Sequence, residues 1–142
     1  MKVKIIRVDK TLPLPEYKTE GSVAFDLYSR IDAAIKPREV VVLPSNLIIE
    51  VPPGHALILA SRSSLAQKKG LVLRNAIGVI DMDYHGPKDE IGLQVYNFTE
   101  QPVMIERGER LMQGLIVPIV RAEWEEVGQI KDSSRGGFGS TG

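Results

Sequence analysis

Cysteine is absent from this 142-residue chain. That one absence removes disulfides, thiol nucleophiles and cysteine-ligated zinc together. Imidazole is almost absent too, since His55 and His85 are the only histidines and their separation is not that of a metal site. Neither sign of charge is in excess: 18 Lys and Arg balance 18 Asp and Glu. A protein that coats duplex nucleic acid needs a basic face, so no nucleic-acid partner is expected, although a local basic pocket for a small anion stays open. No uninterrupted apolar run approaches membrane-spanning length. Met1 to Asp9 alternates charged and apolar residues and lacks the apolar centre of a signal peptide. The expectation is therefore a cytoplasmic protein with no membrane association.

What is present is ordinary for a folded chain, 43% hydrophobic and 25% charged, and the length suffices for one domain with a sizeable core. Apolar residues recur with period two, as half-buried strands require. Such stretches run over Val3–Ile5, Val40–Leu43, Leu47–Val51, His55–Ala60, Ile91–Thr99, Val103–Ile105, Leu111–Val120 and Ala122–Val127. Turn residues separate them: Pro37, Pro44-Ser45-Asn46, Pro52-Pro53-Gly54, Gln101-Pro102 and Arg107-Gly108. Many short strands with close turns indicate an all-β antiparallel sandwich, jelly roll or barrel. One segment differs. Ser63 to Gly70 offers hydroxyls for an N-cap, lysines for a last turn and glycine for the position after it, which predicts a single short helix.

The end of the chain, Arg135-Gly136-Gly137-Phe138-Gly139-Ser140-Thr141-Gly142, has a different character. Four glycines in eight residues make ordering costly, and Phe138 is its one large apolar side chain. The composition suits an unstructured terminus. It equally suits an arm that closes over a nucleotide, with Phe138 stacking on a base and Arg135 and backbone N–H groups holding phosphate oxygens. Extended, the eight residues reach roughly 26 Å at about 3.3 Å each. The chain thus divides into a β domain over 1–130 and a Gly-rich arm over 131–142.

Five segments, taken in order, carry a resemblance. They are Gly21-Ser22-Val23-Ala24-Phe25-Asp26-Leu27-Tyr28, Arg62-Ser63-Ser64-Leu65-Ala66, Gly78-Val79-Ile80-Asp81-Met82-Asp83-Tyr84-His85-Gly86, Gly108-Glu109-Arg110-Leu111-Met112-Gln113 and the tail. Together they resemble the trimeric deoxyuridine triphosphatase (dUTPase) family over essentially the whole chain. The resemblance implies a jelly-roll homotrimer that hydrolyses dUTP to dUMP and pyrophosphate with Mg²⁺. That reaction limits uracil in DNA and supplies dUMP for thymidylate synthesis. It also implies that the arm of one subunit closes over a neighbouring active site.

Several residues take roles by this resemblance. Arg62, Ser63, Ser64 and Gln113 would bind the phosphate chain, and elementary chemistry agrees, because a guanidinium fork and hydroxyls suit phosphate oxygens. Asp81 would be the catalytic base, since attack of water on phosphorus needs a positioned proton acceptor; the same residue type is also common at turns for its local hydrogen bonds. Asp26 would support Arg62 or an ordered water, while Asp83 is set aside as facing away from Asp81. Tyr84 would pack on the sugar and leave no room for a 2′-hydroxyl. Asn75, the backbone of Gly78, Val79 and Ile80, and the returning strand near Gly92 would read uracil. Arg135, Phe138, Gly139, Ser140 and Thr141 would complete the site from the arm. Mg²⁺ would be held by the triphosphate and water, with no direct protein ligand.

The chain departs from the family pattern at a few points. Ala24 and Ser61 stand where Gly and Pro are usual, and His85 replaces a frequent Arg. Pro87-Lys88-Asp89 adds about three residues before Glu90, a length that loop-closure entropy tolerates. A related fold with deaminase activity is disfavoured, because Gln94 stands where those enzymes use a Glu proton shuttle and an amide cannot titrate. A non-catalytic nucleotide-binding protein is the other class; it would be expected to lose Asp81, Tyr84 or the arm.

Overall fold

The computed structural model describes residues 1–134 and Gly136. The expected contacts of Arg135, Phe138, Gly139, Ser140 and Thr141 lie outside the described residues.

The described chain is nearly all β. The strands are β1 (Ile5–Arg7), β2 (Phe25–Tyr28), β3 (Ala33–Ile35), β4 (Val40–Pro44), β5 (Leu47–Ile49) and β6 (His55–Ser61). One helix, α1 (Leu65–Lys69), precedes β7 (Leu71–Leu73), β8 (Gly78–Ile80), β9 (Gly92–Asn97), β10 (Val103–Ile105) and β11 (Arg110–Pro118). A four-stranded antiparallel sheet runs β2-β11-β6-β8 and a three-stranded one runs β4-β9-β7, with β1-β5 and β10-β3 as two-stranded ribbons. This is the jelly-roll-like architecture that the alternating pattern implies.

One core joins these sheets. Phe25, Leu27, Leu57, Leu59, Leu111 and Met112 enter it from the four-stranded sheet, and Leu43, Leu71, Leu73, Leu93 and Val95 from the three-stranded one. Along β9 the pattern is clean: Leu93, Val95 and Asn97 are buried, while Gly92, Gln94 and Tyr96 face outward. Buried Asn97 is fully engaged, its amide nitrogen donating to the carbonyls of Ile35, Lys36 and Gln101.

Two expectations need correction here. The stretch Ala122–Val127 forms no strand, and Trp124 within it is 91% exposed. Its alternation is real, but a strand requires a ladder partner, and none of the described residues pairs with it. Helix α1 begins without a hydroxyl cap: Ser64 occupies the cap position in an αR conformation with no side-chain capping bond. Its other end is as expected, with Lys68 and Lys69 in the last turn and Gly70 left-handed at φ 66°.

Candidate active site

The expected phosphate-binding residues converge at the C-terminal end of β6. Asp26 lies on β2, where all four residues are buried, and its carboxylate faces two guanidinium groups. Arg62 Nε approaches Asp26 Oδ1 at 2.8 Å and Arg110 Nη1 approaches Oδ2 at 3.1 Å. Both carboxylate oxygens of Asp26 are thereby committed, and two long cationic side chains are held in register. Arg110 was not singled out from the sequence, although it lies in the quoted segment Gly108–Gln113.

Gln113, on β11 opposite Ala60, donates its amide to the Ser61 carbonyl at 3.0 Å. That bond fixes the side chain and uses one of its two N–H donors. Ser61 itself, in the place where Pro is usual, accepts from the Leu73 N–H at 2.8 Å and ties β6 to β7. Ser63 is exposed and Ser64 half-buried, their hydroxyls uncommitted to helix capping. Beside them Arg62, Ser64, Lys68, Lys69, Glu109 and Arg110 surround a recess of ≈ 80 Å³. Lys69 is tied back to Glu109 at 2.8 Å.

The second group lies on and after β8. Gly78, Val79 and Ile80 pair with Leu59, Ile58 and Leu57 of β6. Gly78 has a packing reason to be glycine, since a Cβ there would sit 3.0 Å from Leu59 Cβ. Asn75 is exposed in the preceding turn, and Asp81 follows the strand directly, also exposed. Tyr84, 40% exposed, stands over the same turn, its N–H donating to the Asp81 carbonyl at 3.4 Å.

Asp81, Met82, Asp83, Ile119 and Arg121 line an open recess of ≈ 590 Å³. The expectation that Asp83 faces away from Asp81 therefore fails. Residues two apart share a face of a strand, and β8 in any case ends at Ile80. Gly92 also differs from its expected surroundings. It belongs to β9 in the other sheet, opposite Pro44, and the strand beside β8 is β6. A third, more apolar recess of ≈ 300 Å³, lined in part by Val3, Tyr17 and Phe25, contains none of the expected site residues.

The two groups do not meet within one chain. Ile80 sits opposite Leu57, so Asp81 follows near Ala56, whereas Arg62 lies just beyond the far end of the same strand. At about 3.3 Å per residue this separates Asp81 from Arg62 by roughly 20 Å.

Comparison with known proteins places these groups in context. The family model described as dUTPase matches residues 10–142. The deoxyuridine 5′-triphosphate nucleotidohydrolase of Dictyoglomus turgidum is 42% identical, with 100% of this chain and 99% of that protein covered. The enzyme of the same description from Anaplasma marginale is 41% identical over 100% of this chain and 99% of its own length. Among solved structures, the Streptococcus mutans dUTPase superposes with a TM-score of 0.79 at 34% identity, over 87% of this chain and all of that one. A Staphylococcus bacteriophage 80alpha dUTPase with dUPNHPP superposes with a TM-score of 0.87 at 27% identity, over 99% of this chain and 98% of that one.

Proposed function

The chain belongs to the dUTPase family and hydrolyses dUTP to dUMP and pyrophosphate, and we propose that an Asp81-activated water attacks the α-phosphorus. The water loses its proton to the Asp81 carboxylate as its oxygen bonds to phosphorus, and pyrophosphate leaves on the opposite side. Supporting this role, Asp81 is an exposed carboxylate at the end of a fixed strand, opening on a recess large enough for substrate. Asp83 adds a second negative charge to that recess.

Arg62, Ser63, Ser64 and Gln113 bind the triphosphate. Asp26 takes the Nε of Arg62, and no other bond is made to that guanidinium among the described residues, so its two terminal nitrogens are free to fork onto phosphate oxygens. Tyr84 packs against the sugar. Asn75 and the backbone of Gly78 to Ile80 read uracil, whose acceptor–donor–acceptor edge main-chain groups can match. A site built on such hydrogen bonds rejects cytosine strongly, because buried groups would be left unpaired.

The separation of Asp81 and Arg62 supports sites shared between chains, each chain giving Asp81 to one site and Arg62 to another, and membership of the dUTPase family makes the assembly a homotrimer. Residues 131–142 act as the arm, bringing Arg135, Phe138, Gly139, Ser140 and Thr141 over the nucleotide. Mg²⁺ fits this site through the substrate: the ion keeps several waters and takes phosphate oxygens as ligands, and the recess carboxylates can accept hydrogen bonds from those waters. When bound with the triphosphate it neutralises phosphate charge and fixes the chain's geometry. No helix among the described residues is long and apolar enough to cross a membrane, and the cytoplasm, where nucleotides are made, is the proposed location.

The observation that carries this reading is the full-length match to dUTPases, with Asp81 and Arg62 each lining a recess and Gln113 held on β11 opposite Ala60. Pyrophosphate release measured across the deoxynucleoside triphosphates tests it. Hydrolysis of dUTP far above dCTP, dTTP and UTP is expected; comparable rates on dCTP or UTP would sink the specificity assignment.

A further inference from the structure

We propose that Glu90, clamped by Arg30, is a positioning residue that holds Tyr84 against the sugar and thereby tunes rejection of ribonucleotides. This rests on the assignment of Tyr84 above. Arg30 grips Glu90 in a fork, Nε to Oε1 at 2.8 Å and Nη2 to Oε2 at 2.9 Å. Oε1 also accepts the Asn46 N–H at 2.7 Å. The pair is mostly shielded, the side chains being 29% and 17% exposed, so it is screened less than a surface ion pair. The bonds to Glu90 hold the Arg30 guanidinium more firmly protonated than usual.

Around this fork the backbone is fastened as well. The Arg30 N–H donates to the Pro44 carbonyl at 2.8 Å, and Asn46 takes a left-handed φ of 74°. Fully buried Ile91 donates to the Leu47 carbonyl at 2.9 Å and accepts from the Ser45 N–H at 3.0 Å. Glu90 and Ile91 are thus pinned to the β4–β5 turn. The other end of the loop is pinned by Ile80 against Leu57.

The catalytic and sugar-facing residues hang between these two anchors. The extra residues take up no slack: Gly86 donates to Asp89 Oδ2 at 2.6 Å and Asp89 N–H returns to the Gly86 carbonyl at 3.1 Å. Pro87, Lys88 and Asp89 therefore close a small turn on themselves and deliver the chain to Glu90. Tyr84 has few ties of its own, and its hydroxyl lies 3.5 Å from the Glu90 carbonyl, the outer limit of a hydrogen bond. Its position depends on the anchor. Excluding one hydroxyl group requires a wall that cannot retreat by even a fraction of an ångström, which such a support supplies.

The test compares kcat/KM for dUTP and UTP in Glu90→Gln, Arg30→Gln and the double variant, with Tyr84→Ala alongside. Glu90→Gln keeps an oxygen for the Asn46 N–H but loses the charged fork. Each single variant should raise the UTP-to-dUTP ratio about fivefold, and the double variant no further, as for one interaction removed twice. Melting curves confirm that each variant is folded, and Arg30→Lys, which keeps the charge, should recover part of the discrimination. If Tyr84→Ala relaxes the ratio while folded Glu90 and Arg30 variants leave it at the parent value, the clamp is only structural and the proposal is overturned. An unchanged ratio in Tyr84→Ala would instead overturn the sugar assignment, and the clamp's role with it.

Discussion

Arg62 directs its Nε to Asp26 Oδ1 at 2.8 Å, and Arg110 closes on the other oxygen of that carboxylate. Asp26 thus orients from behind the cation that we propose binds phosphate. Asp26→Asn should lower kcat/KM for dUTP about tenfold to a hundredfold, the range for loss of a charge-assisted bond. Binding of dUMP should fall much less than binding of dUPNHPP, because the displaced guanidinium serves the outer phosphates. Equal losses for both nucleotides, measured by titration calorimetry, would show that Asp26 matters only to the fold.

Gly70 ends α1 at φ 66°, and a Cβ there would lie 2.0 Å from Thr99 Cγ2. Thr99 cannot readily turn away, since its hydroxyl bonds to Asn97 Oδ1 and the Gln101 carbonyl. Gly70→Ala should cost roughly 1–3 kcal/mol from overpacking and backbone strain. Urea unfolding checks this; a stability equal to the parent's would mean the turn relaxes freely.

Asp9 is held by the Thr11 hydroxyl at 2.7 Å, by Arg107 Nη2 at 2.6 Å and by the Thr11 N–H at 2.8 Å. The Thr11 hydroxyl first, then Arg107, keep its carboxyl well below the usual carboxylate range. A depressed folded-state pKa stabilises the protein above the unfolded value of about 4 and ceases to do so as pH falls toward the folded value. Asp9→Asn should therefore melt below the parent at pH 7, and the gap should narrow steadily below about pH 4. A gap that stays constant with pH would contradict this linkage.

How much of this was legible in the sequence varies by element. The long alternating strands, β6, β9 and β11, are plain because each has one buried face. Strand β2 is not, since Phe25, Asp26, Leu27 and Tyr28 are all buried and show no alternation. Strands β3, β7 and β8 have only three residues each, too few for a period to register. Ala122–Val127 misled in the opposite sense, because alternation cannot reveal whether a partner strand exists. At the site, residue types in motifs pointed to Asp81, Arg62 and Gln113. Their distances could not be read: Arg110 reaching Asp26 across 84 positions is a product of β2–β11 pairing. The separation of roughly 20 Å between Asp81 and Arg62 likewise follows from register along β6.

The arm supplies a separate test. Every residue of the core cluster lies at or before Met112, so deleting residues 135–142 should leave the unfolding transition near the parent's. Activity should collapse if, as proposed, Phe138 and Arg135 act on bound nucleotide and closure of the arm excludes water. Co-refolding the deletion chain with an Asp81→Asn chain should restore part of the activity, each supplying what the other lacks. A verified mixed trimer with no recovery would show that each arm closes over its own chain's Asp81.

The role of Asp81 is tested most directly by Asp81→Asn, with turnover and affinity measured on the same preparation. The substitution keeps size and most polarity but removes the proton acceptor, so the loss should fall on kcat. We expect kcat for dUTP to drop by about 10²- to 10⁴-fold, while the dissociation constant for dUPNHPP stays near the parent value. Turnover near the parent rate, with binding unchanged, would mean that another group takes the proton from water, and the mechanism built on Asp81 would be wrong.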